Sequence, residues 1–291
     1  MRTKILAIAM ALLVAACGSD DDGRAASTTT TTAAPDDVPQ AIVSLSPSST
    51  EILFAIGAGD QVIAVDDQSD YPEGVPTTDL SGYEPNVEAI AGYAPDLVVS
   101  SSGDPALVDG LGALGIEVLV HEAAVDIDDV YEQIDALGEV TGHVDEAGEL
   151  VADMRDRIDE ISGGAGDRAL TAYWELDPTY YSVTSATFIG KLLGLVGITS
   201  IADEAQAEAN DYPQLSAEFI VQADPDLIFL ADTECCQQTA ETVAAREGWG
   251  QMKAVITGNV VELSDDVASR WGPRIVDLLE QLDEAAQKAT S

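Results

Sequence analysis

Pro85-Asn-Val-Glu88-Ala-Ile90 runs on to Pro95-Asp-Leu-Val-Val99, and Leu215-Ser-Ala-Glu218-Phe-Ile220 runs on to Pro225-Asp-Leu-Ile-Phe229. In both copies the glutamate stands two residues before the isoleucine and seven before the Pro-Asp-Leu. Each copy fits a short helix feeding a strand. An apolar run without polar alternation suits a strand covered on both faces, as in parallel sheets. The same unit at the same spacing predicts two similar lobes. Outward from these copies, strand-like and helix-like segments alternate from residue 41 onward, beginning 41–45, 49–57 and 61–65. That is α/β organisation. Ser48 or Ser49 is placed to cap the first helix, with Leu53 and Ile56 on its apolar side.

Between the copies, Val144, Ala147, Val151, Met154, Ile158 and Ile161 follow one another at alternating steps of three and four, with charged residues between them. This predicts a single helix with a narrow apolar stripe, ended by Gly163-Gly164. About 19 residues long, it would span about 28 Å as a strut along both lobes. The expected architecture is α/β: two Rossmann-like lobes with central parallel sheets, residues 41–142 and 164–291, joined by one long helix over 143–163. A ligand cleft is expected between the lobes.

Ahead of the lobes, Met1-Arg-Thr-Lys4 is basic, 5–16 is an unbroken apolar run, and Val14-Ala-Ala-Cys17 closes it with small residues. Twelve apolar residues reach only about 18 Å as a helix, too short to span a bilayer, so 1–16 is predicted to be a secretion signal. Val-Ala-Ala-Cys resembles the bacterial lipobox, which makes Cys17 the lipidated first residue of the mature chain. Residues 17–40 carry Ser27, five threonines at 28–32 and Ala-Ala-Pro-Asp-Asp, without apolar periodicity. They predict a disordered tether holding the body at the outer face of the cell membrane.

Twelve Lys and Arg against 53 Asp and Glu leave a formal charge of −41. Nucleic acid is excluded as a partner, because binding a polyanion needs clustered cations, and anionic ligands are disfavoured. His121 and His143 are the only histidines, neither with a second ligand at metal-binding spacing; both are expected to pack or cap, and no dedicated metal site is expected. There is no G-x-S-x-G elbow and no Walker A loop. Gly110-Leu-Gly-Ala-Leu-Gly115 matches G-x-G-x-x-G but lies between a helix and the strand that follows, the reverse of the order a dinucleotide site needs. A hydrolase using Ser48 as nucleophile has no histidine evidently placed as its base.

Cys235 and Cys236 are adjacent in Asp232-Thr-Glu-Cys-Cys-Gln237, in a loop after the predicted strand 226–230. They form either a vicinal disulfide in an oxidising compartment or two free thiols. Thr233 lies in the same loop, where α/β proteins place ligand contacts. Aromatics make up only 5% of the chain. Tyr83, Trp174, Tyr180, Tyr181, Tyr212 and Trp271 fall mostly at predicted loops and strand ends, where two facing lobes would assemble flat walls for a large ring-bearing ligand.

Ile42-Val-Ser-Leu-Ser-Pro-Ser-Ser-Thr-Glu51, Ser69-Asp-Tyr-Pro72, Pro85-Asn-Val-Glu88, Tyr212-Pro-Gln-Leu-Ser-Ala-Glu218 and Ser269-Arg-Trp-Gly-Pro-Arg-Ile275 together resemble the cobalamin and iron-chelate class of solute-binding proteins that serve bacterial ABC importers. The likeness covers roughly residues 41–286. It implies a monomeric, non-enzymatic capture protein without a cofactor of its own, whose cargo contains cobalt or iron. Its partners would be a permease dimer with its ATPase. The resemblance places permease-docking carboxylates at Glu88 and Glu218. Ser69-Asp-Tyr-Pro72, Tyr212-Pro-Gln214 and the Arg270 segment are most similar to the cobalamin binders, which puts Tyr212, Asp266 and Arg270 at the ligand. Ser48, Tyr83, Ser101, Trp174, Thr233 and Trp271 complete the expected contacts. Where other aromatics of those binders stand, this chain has Gln68, Gly82 and Ser101. Ferric hydroxamates and haem therefore stay open beside a corrinoid.

Overall fold

A computed structural model describes residues 38–205 and 210–291. The predicted signal, Cys17 and nearly all of the tether lie outside the described residues. Strands β1 (Ile42–Leu45), β2 (Val62–Asp66), β3 (Thr77–Leu80), β4 (Leu97–Ser100) and β5 (Glu117–Val120) form a parallel sheet in the order β3-β2-β1-β4-β5. Helices α1 (Pro47–Ala55), α2 (Val87–Ala91), α3 (Pro105–Ala113) and α4 (Ile127–Thr141) cover it. A second parallel sheet, β7-β6-β8-β9, is built from β6 (Leu170–Glu175), β7 (Ile198–Ser200), β8 (Leu227–Leu230) and β9 (Val260–Glu262). The second order reproduces β2-β1-β4-β5 of the first; among the described residues β3 has no counterpart. Between the sheets runs α5 (Val144–Gly164). The second lobe adds α6 (Phe188–Leu195), α7 (Ala217–Ala223), α8 (Thr233–Cys236), α9 (Ala240–Ala244), α10 (Lys253–Ile256), α11 (Asp265–Ser269) and α12 (Ile275–Ala289).

The duplicated sequence folds into duplicated structure. In α2 the Asn86 side chain accepts from Ala89 N at 3.0 Å, and in α7 the Ser216 hydroxyl accepts from Phe219 N at 3.2 Å. Each cap satisfies a helix-end donor that would otherwise lack a partner. Both copies then turn through a left-handed residue directly before the proline, Ala94 (φ 53°) and Asp224 (φ 46°). The aspartate of each Pro-Asp-Leu ties its strand to the next one: Asp96 accepts from Ala41 N at 3.1 Å and Asp226 from Thr171 N at 2.9 Å. The motif thus specifies helix start, turn and strand register together.

The strut forms as the stripe predicts, one residue later at each end. Ala147, Val151, Met154 and Ile158 are buried, whereas Val144 is exposed. One face meets α4 and another meets α12, so the helix is shared by both lobes; its 21 residues span about 32 Å. The first helix begins earlier than expected. Ser46 is its N-cap, accepting from Ser49 N, and Pro47 occupies the first turn, where a missing N–H costs nothing. The glycines at 110–115 lie across the end of α3 and the turn into β5, helix before strand, as expected for a segment that is no dinucleotide loop.

Candidate functional site

In parallel α/β sheets ligands meet the loops at the carboxyl ends of the strands. Here those loops contain Ser46–Ser48 after β1, Gln68–Pro72 after β2, Ser81–Tyr83 after β3, Ser101–Gly103 after β4 and His121–Val125 after β5. From the second lobe come Ala231–Gln238 after β8 and the segment from Leu263 through Arg274 after β9.

The two lobes are fastened together by that last segment. Arg270 donates to Glu51 Oε1 (3.1 Å), Asp70 Oδ1 (2.9 Å), the Gln68 carbonyl (2.9 Å) and Asp266 Oδ1 (2.6 Å). Arg274 donates through Nε (3.0 Å) and Nη2 (2.5 Å) to the same Glu51, and its guanidinium lies 4.1 Å over the Tyr71 ring. Trp271 donates its backbone N–H to Ser48 Oγ (3.1 Å) and its indole N–H to Gln133 Oε1 (3.2 Å). Gly272 is glycine because a Cβ would press on Glu51 Oε2 at 3.0 Å and on the Ser48 carbonyl at 3.4 Å. Glu51, 2% exposed, is stable as a buried carboxylate because two guanidiniums compensate it. The hydrogen bonds to Glu51 hold the Arg274 pKa above its ordinary value.

The structure therefore brings Ser48, Asp266, Arg270 and Trp271 into one cluster, as a seam between the lobes. Ser48 is buried with its hydroxyl engaged by Trp271, and Arg270 is saturated by carboxylates. Trp174 is placed differently from the expectation. It is fully buried, its ring 5.6 Å from Phe229, so it is core under the second sheet and presents nothing to a ligand. Tyr83 is 95% exposed and Tyr212 51% exposed, and Ser101 and Thr233 are half-buried. Gly82 has a steric reason: a Cβ there would collide with the Asp66 carboxylate and the Leu45 carbonyl.

A second polar cluster lies beneath the β8 loop. Glu175, at the end of β6 and fully buried, takes a bidentate pair of 2.6 Å hydrogen bonds from Arg246. The guanidinium lies 4.5 Å over Trp249 and 5.6 Å over Tyr180. Asp232 stands beside this pair with no hydrogen bond to either carboxylate oxygen among the described residues. Burial, reinforced by the Glu175 charge, pushes its pKa up to about 7. Above it, Cys235 and Cys236 are joined as a vicinal disulfide. Asp265 fixes that loop, accepting from Glu234 N (3.1 Å), Cys235 N (2.7 Å) and Thr233 Oγ1 (3.2 Å). Sequence reasoning missed Glu51, Glu175 and Asp232; a carboxylate at the end of an apolar strand, as at Glu175 and Asp232, was the available signal.

A cavity of about 670 Å³ opens at the carboxyl end of β5 and is lined by Val120, His121, Glu122, Val125, Asp129 and Gln133, among others. The Ser101–Gly103 loop adjoins it, since a Cβ on Gly103 would contact Val120 and Glu122. Trp271 of the other lobe stands beside it through its bond to Gln133. Among the described residues no group of three metal-ligating side chains converges to hold an ion. Glu88 and Glu218 both stand exposed in the first turns of their helices, as the duplication requires, and neither makes an ion pair among the described residues.

Two parallel-sheet lobes fastened at one seam and spanned by a shared helix define a solute-capturing protein, one that carries its ligand and does not transform it. The chain belongs to the periplasmic binding protein family, whose model matches residues 42–267. It is 32% identical over 258 residues to the uncharacterized ABC transporter substrate-binding lipoprotein YvrC of Bacillus subtilis, covering 85% of this chain and 80% of that one. It is also 32% identical over 265 residues to a cobalamin-binding protein of Halobacterium salinarum, covering 88% of this chain and 71% of the other. The periplasmic vitamin B12 binding protein BtuF of Vibrio cholerae has the same fold, with a TM-score of 0.72 at 24% identity over 87% of this chain and 98% of that one. The protein is thus an extracytoplasmic solute-binding component of an ABC importer, working with a permease and its ATPase.

Proposed function

We propose that this chain, held at the membrane by a lipid on Cys17, captures a corrinoid and delivers it to its permease by docking through Glu88 and Glu218. The carrying observation is the state of its cations. All six arginines among the described residues, Arg155, Arg157, Arg168, Arg246, Arg270 and Arg274, have a carboxylate partner. A ligand bearing carboxylates or catecholates would find no uncommitted guanidinium among the described residues and would meet Glu122, Asp129 and Glu132 at the cavity beside β5. Corrinoids present neutral amides around a cationic metal, which suits such a site. The cobalamin-binding relative supports the same reading. Ferric hydroxamates of zero or positive charge form the second reading, favoured by the same arginine pairing; haem, with two propionates, fits it less well. Tyr83, Ser101, Tyr212, Thr233 and Trp271 are the proposed contacts, with Arg270 and Asp266 shaping the seam beneath them.

The test is a titration of the purified chain with cyanocobalamin, ferric hydroxamates and haem, followed by tryptophan quenching and calorimetry. One-to-one binding of cyanocobalamin in preference to haem is expected. Tight binding of haem alone would sink both the corrinoid assignment and the charge argument. For the anchor, Cys17→Ser is expected to release the protein from the membrane; retention there would refute lipidation.

A further inference from the structure

Helix α8 is one turn long, its N-cap Asp232 makes no capping bond through its side chain, and Gln237 behind it is held left-handed at φ 56°. A single turn does not persist by itself, and a left-handed backbone is disfavoured for a residue with a side chain. The loop also closes over a liability. Asp232 is fully buried and neither carboxylate oxygen has a hydrogen-bond partner among the described residues, so the closed loop denies that carboxyl group its hydration. Opening would restore it. Three holds keep the loop shut. The first is the Cys235–Cys236 bridge. The second is the Asp265 carboxylate, which accepts from Thr233 Oγ1, Glu234 N and Cys235 N. The third is Gln238, whose amide donates to Cys236 O at 3.1 Å and accepts from Arg246 at 2.7 Å. The first is covalent.

Asp265 also opens α11, which packs against α8, and the next residue, Asp266, accepts from Arg270 at 2.6 Å. Arg270 carries the contact across to the first lobe through Glu51, Asp70 and the Gln68 carbonyl. A short run of hydrogen bonds thus joins the bridge to the seam. Cys235 is exposed and Cys236 half-buried, so a dissolved thiol has access at Cys235. We propose that the Cys235–Cys236 bridge is a redox-operated latch on ligand capture. Closed, it holds the β8 loop against α11 and keeps the seam in register; opened by a dithiol, it frees both and weakens the grip on the ligand. One thiolate of the dithiol attacks Sγ of Cys235, the S–S bond breaks, and Cys236 leaves as a thiolate that takes up a proton. The second thiol of the reductant then displaces Cys235 and closes the reductant's own disulfide. Two electrons and two protons pass from the dithiol to the protein. The ligand used as probe rests on the corrinoid reading above; the latch itself does not.

The test reduces the purified chain with dithiothreitol under argon, removes the reagent and counts thiols; two more per chain than before reduction are expected. Amide hydrogen exchange then reads the latch without any ligand. Reduction should speed exchange at 233–238 and at 265–270 together and leave 42–45 in β1 unchanged. Cyanocobalamin should bind the reduced chain about tenfold more weakly than the bridged one, and reoxidation should restore the affinity, which separates the latch from damage. The double variant Cys235→Ser with Cys236→Ser should bind as weakly as the reduced chain and ignore the reductant, with a cooperative melt reporting its folding. Exchange that quickens at 233–238 but not at 265–270, or equal affinity before and after reduction, overturns the latch, as does a chain that gains no thiols. Failure of cyanocobalamin to bind the bridged chain overturns the corrinoid reading, and the exchange result then decides the latch.

Discussion

Replacing Glu51 with alanine removes the carboxylate on which the seam between the lobes converges. Its side chain is 1% exposed and takes hydrogen bonds from Arg270 at 3.1 Å and from Arg274 at 3.0 and 2.5 Å. Removing one side of a buried pair strands the other charge and costs about 3–5 kcal/mol. Two features place Glu51→Ala at the lower end. Arg270 keeps Asp266 at 2.6 Å and Asp70 at 2.9 Å, and Arg274, 18% exposed, is able to turn toward water. A loss of about 3 kcal/mol is therefore expected. In urea unfolding followed by tryptophan fluorescence, a slope of about 3 kcal/mol/M turns this into a midpoint lowered by about 1 M. A double-mutant cycle with Arg274→Ala should show coupling of about 1 kcal/mol or more, since the two side chains touch. A drop below about 0.3 M, equivalent to less than about 1 kcal/mol, would equate Glu51 with an exposed ion pair and refute the seam as a structural tie.

Gly82→Ala should destabilise by about 2 kcal/mol, because the new methyl meets the Asp66 carboxylate and the Leu45 carbonyl; an unchanged melting temperature would contradict the steric account. Asp232 has its folded pKa raised from 3.8 to about 7, so between those values the folded state holds a proton that the unfolded state has released. Its contribution to stability therefore falls as pH rises from about 4 to about 7 and is flat above. Asp232→Asn is expected to match wild type near pH 4 and exceed it above pH 7 in thermal melts, and equal stability at pH 8 would discount the burial effect. Reversing both docking carboxylates, Glu88→Lys with Glu218→Lys, should leave ligand affinity unchanged and abolish cellular uptake; normal uptake by that variant rules the docking role out.

What could be read from the chain alone was local or repeated. The Pro-Asp-Leu strands, their capped helices and the strut declare themselves through short spacings, each with a steric or hydrogen-bonding cause acting within a few residues. Pro47 in fact marked the first helix start more strongly than Ser48 did. The seam was illegible for a different reason. Glu51 meets Arg270 across 219 positions, and among 53 acidic residues no pattern marks Glu51 as one that is buried. Trp174 was misplaced because a predicted strand end reads in sequence as a place near solvent. Arg246 neutralises Glu175 instead, so the strand stays buried to its end and the tryptophan with it.

The seam joins α1, among the first elements of the described chain, to the start of α12, the last, and α12 then lies along α5. A growing chain therefore cannot complete its interlobe packing until almost every residue is available. The first lobe has its own sheet but must wait with Glu51 uncompensated, and contacts of such sequence separation form slowly.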